Sequence, residues 1–435
     1  MLKNKLILFL FTVLFAILLT PWFTNNRNVI VSNEVGNNFQ KDAEVLVVSR
    51  IAAEVSGVNT KFYNLGRLGP ETKTKLNTWG NPDPYQALDE KSAKDFQPYV
   101  SQYGIHSGIY SLLYPKIISL TKNVFNLTDL RYVVTFLFVL INLFIFITIY
   151  KNIDKLLASI WILSIIFAPF VLLFARNIYW STFSFYLPIL FSILFSVTER
   201  HKKLFLLITN LALLFRFLMG YEFFTTLIIT CSLFSYIGIF LKNEFNFSKI
   251  FLKTYSKIVL SFFATFILAI NIHSILSPQG YRTNMTYLLT RSNARLANSE
   301  SPVSSIVSTL ESYFLEWPKF FGWPVWYSEN NLFSFPLPTL NLVSIPGKFL
   351  MIVFIFLMLL FLTSLVSGKV VENKLHLLIF LLGPISWIVL YPNHENEHGF
   401  DFFLMYFGAI QIIVYIIFWN FRKLFYSIYK SLNQL

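Results

Sequence analysis

Long apolar blocks alternate with short polar connectors along most of this chain. A helix that crosses the hydrocarbon core of a bilayer needs about 20 apolar residues. Blocks of that kind fall at 5–23, 130–150, 156–175, 179–198, 204–219, 221–241, 258–276, 346–367, 375–391 and 402–421. The pattern predicts an all-α polytopic membrane protein with about ten transmembrane helices in one integral membrane domain over 1–435. Two longer segments, about 24–129 and 277–345, interrupt the alternation. Neither has a sustained apolar core pattern, so both read as large loops carrying juxtamembrane helices. In the first, Val47, Val48, Ile51 and Val55 recur at helical spacing. Residues 109–125 are amphipathic and broken by Pro115, as expected for a helix lying along a membrane surface.

Charge then orients the blocks. Connectors 151–155, 199–203, 242–257 and 368–374, and the stretch from Arg422 onward, all carry Lys or Arg. The positive-inside rule places them on the cytoplasmic side, together with both termini. The two long segments then lie outside. Lys3 and Lys5 precede the first block, which ends at Thr20-Pro21-Trp22 without a small-residue cleavage pattern. It reads as a retained helix rather than a signal peptide.

Composition agrees. Hydrophobic residues make up 55% and charged residues 13%, against about 25% charged in soluble domains. The mean hydropathy is +0.59. The net charge of +13 sits largely in short connectors, where it sets orientation and is no nucleic-acid signal. Cys231 is the single cysteine and lies in an apolar block, so no intrachain disulfide or cysteine-based metal site is available.

Chemistry-bearing residues gather in the segments assigned outside. Asp42 stands where the 43–56 helix should begin, with Glu44 beside it. Asp42 serves as N-cap or as a catalytic base. Residues two apart do not share a helix face, so the two carboxylates converge only if Asp42 precedes the helix. Arg176 lies near the middle of 156–198, and Arg216 with the turn Gly220-Tyr221-Glu222 near the middle of 204–241. Ionisable groups at membrane depth are functional candidates by default. Snorkelling of the arginines, or an Arg216–Glu222 pair, is the structural alternative. Arginine suits a phosphate because its planar fork binds two oxygens at once.

The connector 391–401 holds His394, Glu395, His398 and Asp401. It contains H-E-x-x-H, the zinc-protease pattern, but Pro392 before it and Gly399 after it leave little helix to align the histidines. The cluster reads better as a binder of sugar hydroxyls, phosphate or a divalent cation such as Mg or Mn, or as a solvated loop. No cofactor is otherwise called for. Trp79, Tyr85, Tyr99, Tyr103, Trp317, Trp323 and Trp326 fit an interfacial belt. His106 is a weaker site candidate, and Arg282, Arg291 and Arg295 add positive charge toward an anionic donor.

This layout resembles the GT-C superfamily of membrane glycosyltransferases. The residues that carry the resemblance are Asp42 and Glu44 in Lys41-Asp-Ala-Glu-Val, soon after the first helix. Arg176-Asn-Ile-Tyr-Trp and Gly220-Tyr-Glu-Phe look like phrases of membrane proteins in bacterial surface-polysaccharide clusters. The resemblance implies a catalytic carboxylate in the first outer loop and a polyprenyl-phosphate-linked sugar as donor. It also implies a glycan or lipid-linked acceptor, at the outer face of the bacterial cytoplasmic membrane. Arg176, Arg216, Tyr221, Glu222 and the 394–401 cluster would then bind substrate or phosphate. The rival readings are an O-antigen or capsule repeat-unit polymerase, a lipid-linked glycan flippase or transporter, and a chelator-sensitive protease. A transporter predicts charges deep in several spans and pseudo-symmetric halves, and neither is evident in the sequence.

Overall fold

The computed structural model describes residues 2–24, 41–56, 88, 113–114, 116–118, 126–241, 249–277, 280–296, 372–391 and 401–432. Among them the regular structure is helical, with no strand. The helices are α1 (Leu2–Thr24), α2 (Lys41–Val55), α3 (Leu127–Asn152), α4 (Lys155–Phe167), α5 (Pro169–Arg176), α6 (Phe183–Val197) and α7 (Lys202–Met219). They continue with α8 (Phe224–Phe234), α9 (Ile237–Phe240), α10 (Lys249–Leu276), α11 (Tyr281–Leu296), α12 (Leu382–Leu390) and α13 (Ala409–Leu432). Two 3₁₀ stretches, Leu375–Leu381 and Asp401–Phe407, lead into α12 and α13.

Four of these are long and apolar enough to cross a membrane: α1 from Leu6, α3, α10 from Phe251, and α13. They fit a membrane protein. The expected span 346–367 lies outside the described residues, as do Trp79, Tyr85, Tyr99, Tyr103, His106, Trp317, Trp323 and Trp326.

Several predicted single spans are broken helices. The block 156–175 is α4 and α5, parted at Ala168, whose backbone is extended. Pro169 follows it, and the ring of a proline disfavours helix in the residue before. The block 221–241 is α8 and α9, parted at Ser235 and Tyr236. At 402–421 the break is Gly408, with φ +133°; a Cβ there would lie 2.6 Å from the Phe234 ring, so only glycine fits.

Capping explains the intact starts. Asn126 and Asp129 form a reciprocal capping box on α3, and the Asp154 carboxylate accepts from the Leu157 N–H at 2.9 Å to start α4. The helices pack in neighbouring pairs: α1 on α3, α3 on α4 and α6, α6 on α7, α7 on α10, and α8 on α12. Polar side chains tie some of them. Trp161 donates to Asn142 at 3.1 Å, and Ser261 and Thr265 donate to Asn210 at 3.1 and 2.6 Å. Trp22 of α1 donates to the Ile166 carbonyl at 3.0 Å. That carbonyl lies at the broken end of α4, where backbone groups need partners from elsewhere.

Candidate functional site

The link between α5 and α6, residues 177–182, is buried throughout, which is unusual for a loop. Its backbone therefore needs internal partners, and short polar side chains supply them. The Asn177 amide oxygen accepts from the N–H groups of Tyr179 and Trp180 at 2.9 and 3.3 Å. Thr182 and Thr135 donate to the last carbonyls of α5, those of Phe174 and Ala175, at 2.6 and 3.2 Å. Ser181, held in the left-handed region at φ 43°, shares a 2.7 Å hydrogen bond with Tyr114. Tyr114 and Ile118 are buried while Leu113 and Ile117 are exposed, so the described part of 109–125 presents two faces, as its sequence predicts.

Onto this loop comes the first long segment. The Glu44 carboxylate accepts two bonds from the Arg131 guanidinium, Nε–Oε1 at 3.1 Å and Nη2–Oε2 at 2.5 Å. It also accepts from the Ile178 N–H at 3.3 Å. Glu44 thereby joins α2, the start of α3 and the buried loop. Arg176, at the end of α5, donates to the Thr24 carbonyl at 3.5 Å and sits within the fields of both Arg131 and Glu44. Deeper in α2, Arg50 is buried and bonded to Glu54 at 2.8 Å.

A second polar group adjoins the first through Tyr179. Its hydroxyl donates to Glu222, which is 3% exposed, at 3.3 Å. Tyr221 and the His273 Nδ1 share a 2.6 Å hydrogen bond, joining the 220–223 turn to the last turns of α10. Arg216, 1% exposed, lies 3.7 Å from the centroid of the Phe185 ring. An aromatic cluster binds these pieces: Phe185 meets Phe223 and Phe407, Trp180 stacks on Phe223, and Phe174 stacks on Phe403 at 4.1 Å.

The sequence expectations divide accordingly. Arg176, Glu44, Tyr221 and Glu222 gather at one end of the bundle around 177–182. Arg216 lies near them across Phe185 and Phe223. The condition for Asp42 to meet Glu44 is not fulfilled by the backbone: α2 begins at Lys41, so both residues lie inside the helix and not on a shared face. The Asp42 side chain lies outside the described residues. Glu44 itself is occupied by an arginine fork and a backbone N–H, which suits it to holding α2 in place.

His394, Glu395 and His398 also lie outside the described residues, as does the Asp401 side chain. The flanks of that connector are described. Tyr391 packs on Trp387 and bonds to Ser292 of α11 at 3.1 Å, and Trp387 packs on Phe223. On the other side Phe403 stacks on Phe174. Both flanks therefore reach the end of the bundle that holds Arg176 and Glu222. Among the described residues no group of three His, Cys, Asp or Glu side chains is placed to hold a metal ion. Of the three arginines in 277–345, Arg282 is exposed on α11, and the side chains of Arg291 and Arg295 lie outside the described residues.

Sequence reading missed Arg131, Tyr179 and His273. Arg131 is the second residue of an apolar block and His273 the only imidazole within another. Their depth in apolar sequence was the available signal. No family model, no curated protein and no solved structure matches this chain.

Proposed function

We propose that this protein is a multi-pass glycosyltransferase that moves a sugar from a polyprenyl-phosphate carrier to a glycan or lipid-linked acceptor, in synthesis of the cell-surface polysaccharide. The reading takes ten crossings with both termini cytoplasmic. The ends of α1, α5, α7 and α10 and the start of α3 then share the outer side of the cytoplasmic membrane. One observation carries it: a helix from the first long segment is clamped by Glu44 to Arg131 and to a buried loop beside Arg176. Irregular backbone at membrane depth is tolerated where protein buries it or where it lines a cavity.

In this reading Asp42, in the first turn of the clamped helix, takes the proton from the acceptor hydroxyl. The freed oxygen attacks the anomeric carbon, and the carbon–oxygen bond to the carrier phosphate breaks. Arg176 and Arg131 face the phosphate as its charge develops. Glu222 with Tyr179, and Tyr221 with His273, would bind sugar hydroxyls in this reading. A divalent cation, if used, would be sought at the 394–401 connector.

The gathering of Arg131, Arg176 and Arg216 also favours a second reading, a repeat-unit polymerase, which leans on outer arginines. A transfer assay in membranes separates the two, using radiolabelled polyprenyl-phosphate sugars and the native acceptor. Wild type is compared with Asp42→Asn and Arg176→Ala. Transfer lost in both variants at normal expression supports the transferase. Transfer untouched in Asp42→Asn removes Asp42 as the base. Absence of transfer by wild type, with unpolymerised lipid-linked repeats accumulating in a deletion strain, replaces the transferase with the polymerase.

A further inference from the structure

The opposite end of the bundle carries a surface that the transfer chemistry does not use. Between Tyr415 and Lys423, helix α13 is bonded to neighbouring connectors. Tyr415 donates to Asp154 at 3.4 Å, Trp419 to the Glu372 carbonyl at 3.3 Å, Asn420 to the Asn373 carbonyl at 3.1 Å, and Lys423 to Glu372 at 3.1 Å. These polar partners come from two connectors, 151–155 and 368–374. The helix then continues from Leu424 to Leu432, about 14 Å at 1.5 Å per residue.

That extension is two-faced. Phe421, Leu424, Phe425, Ile428 and Leu432 fall on one arc of roughly 100° at 100° per residue, and all five are exposed. The opposite arc holds Arg422, Lys423 and Lys430, and α13 contains no acidic residue. Tyr429, also exposed, falls between the two arcs and suits the boundary between hydrocarbon and water. Exposed apolar side chains need cover, and exposed cations on a helix without acidic residues attract an anion. The headgroup region of a bilayer, about 5–8 Å deep on each side, offers both when its lipids are negative.

We propose that residues 422–432 form a binding site for anionic lipid headgroups, with Arg422 and Lys430 as the main phosphate contacts and the Phe425 face seated among acyl chains. Lys423 contributes less because Glu372 already holds it. The inference is independent of the transferase reading.

The test uses the full chain with Tyr429→Cys in a Cys231→Ser background, reconstituted in bilayers of neutral lipid or neutral lipid with about one-third phosphatidylglycerol. Thiol labelling at position 429 is timed. Labelling in the anionic bilayer should be slower by at least about fivefold, since each basic side chain near an anionic surface contributes a factor of that order. Arg422→Gln with Lys430→Gln should remove the difference. If that variant does not fold, 1 M salt on the parent protein should remove it by screening. Equal labelling rates in the two bilayers overturn the proposal. So does protection that persists in neutral lipid and grows with protein density, which would assign the surface to a second copy of this chain.

Discussion

The two ends of the bundle use the same residue types for different work. At the end of α9, Lys374 donates to the Leu241 carbonyl and His376 to the Phe240 carbonyl, both at 2.6 Å. Asp154 starts α4 close by. Each of these charges finishes a helix beside which it lies, as capping groups do. At the other end Glu44, Arg131 and Arg176 come from three separate helices and meet around a buried loop, and none of the three caps its own helix. Charges that cap are explained by the helix ends that they complete. Charges drawn from distant segments into a buried cluster are costly to keep and call for a further reason, which the proposed phosphate chemistry supplies.

The comparison breaks most readily at Arg131. Replacing it with Ala leaves the buried Glu44 carboxylate without its arginine fork. The expected loss is about 3 kcal/mol, the low end for a buried pair, because Arg131 is 24% exposed. Chemical unfolding in micelles measures it. Exchanging the charges, Glu44→Arg with Arg131→Glu, should recover only part of the loss, since the Ile178 N–H would then face a cation. Full recovery would show a simple clamp with no directional role.

Next in size is Phe185→Leu, which takes the ring from beneath Arg216. A desolvated cation–ring contact is worth about 2 kcal/mol, read from the same unfolding curves. A change within error would mean that other groups alone sustain the buried guanidinium. Tyr221→Phe should cost about 1 kcal/mol through the hydrogen bond to His273, and a lowered transfer rate without a changed affinity for donor would tie that pair to the chemistry. Smallest in consequence is Asp154→Ala at the opposite end. It should lose about 1 kcal/mol of capping stability and leave transfer at the wild-type rate. Transfer that fell as far as in Arg176→Ala would erase the distinction between the two ends.

Much of the helical layout was legible in the sequence. The apolar blocks at 130–150, 204–219 and 258–276 each lie on one continuous helix. The breaks were harder. The 156–175 block has the length of a single span, and its break at Ala168 follows from Pro169. The α8–α9 break has no proline or glycine to signal it. Of the site, Arg176, Tyr221 and Glu222 were visible as charges or turns inside apolar stretches. Arg131 was hidden at the edge of a block, where a lone arginine reads as an interfacial anchor. Asp42 as N-cap failed because α2 is already helical at Lys41, two residues before the expected start at 43.

By itself the sequence determined that the chain is helical and suited to a bilayer. Hydrophobic block length and backbone hydrogen bonding within each block are local properties, and they suffice for that. Which charges meet was decided only by tertiary structure. Glu44 and Arg131 are 87 residues apart, and Glu44 and Ile178 are 134 apart. A contact at such separation depends on how the intervening helices pack, and no local pattern of apolar and polar residues encodes it.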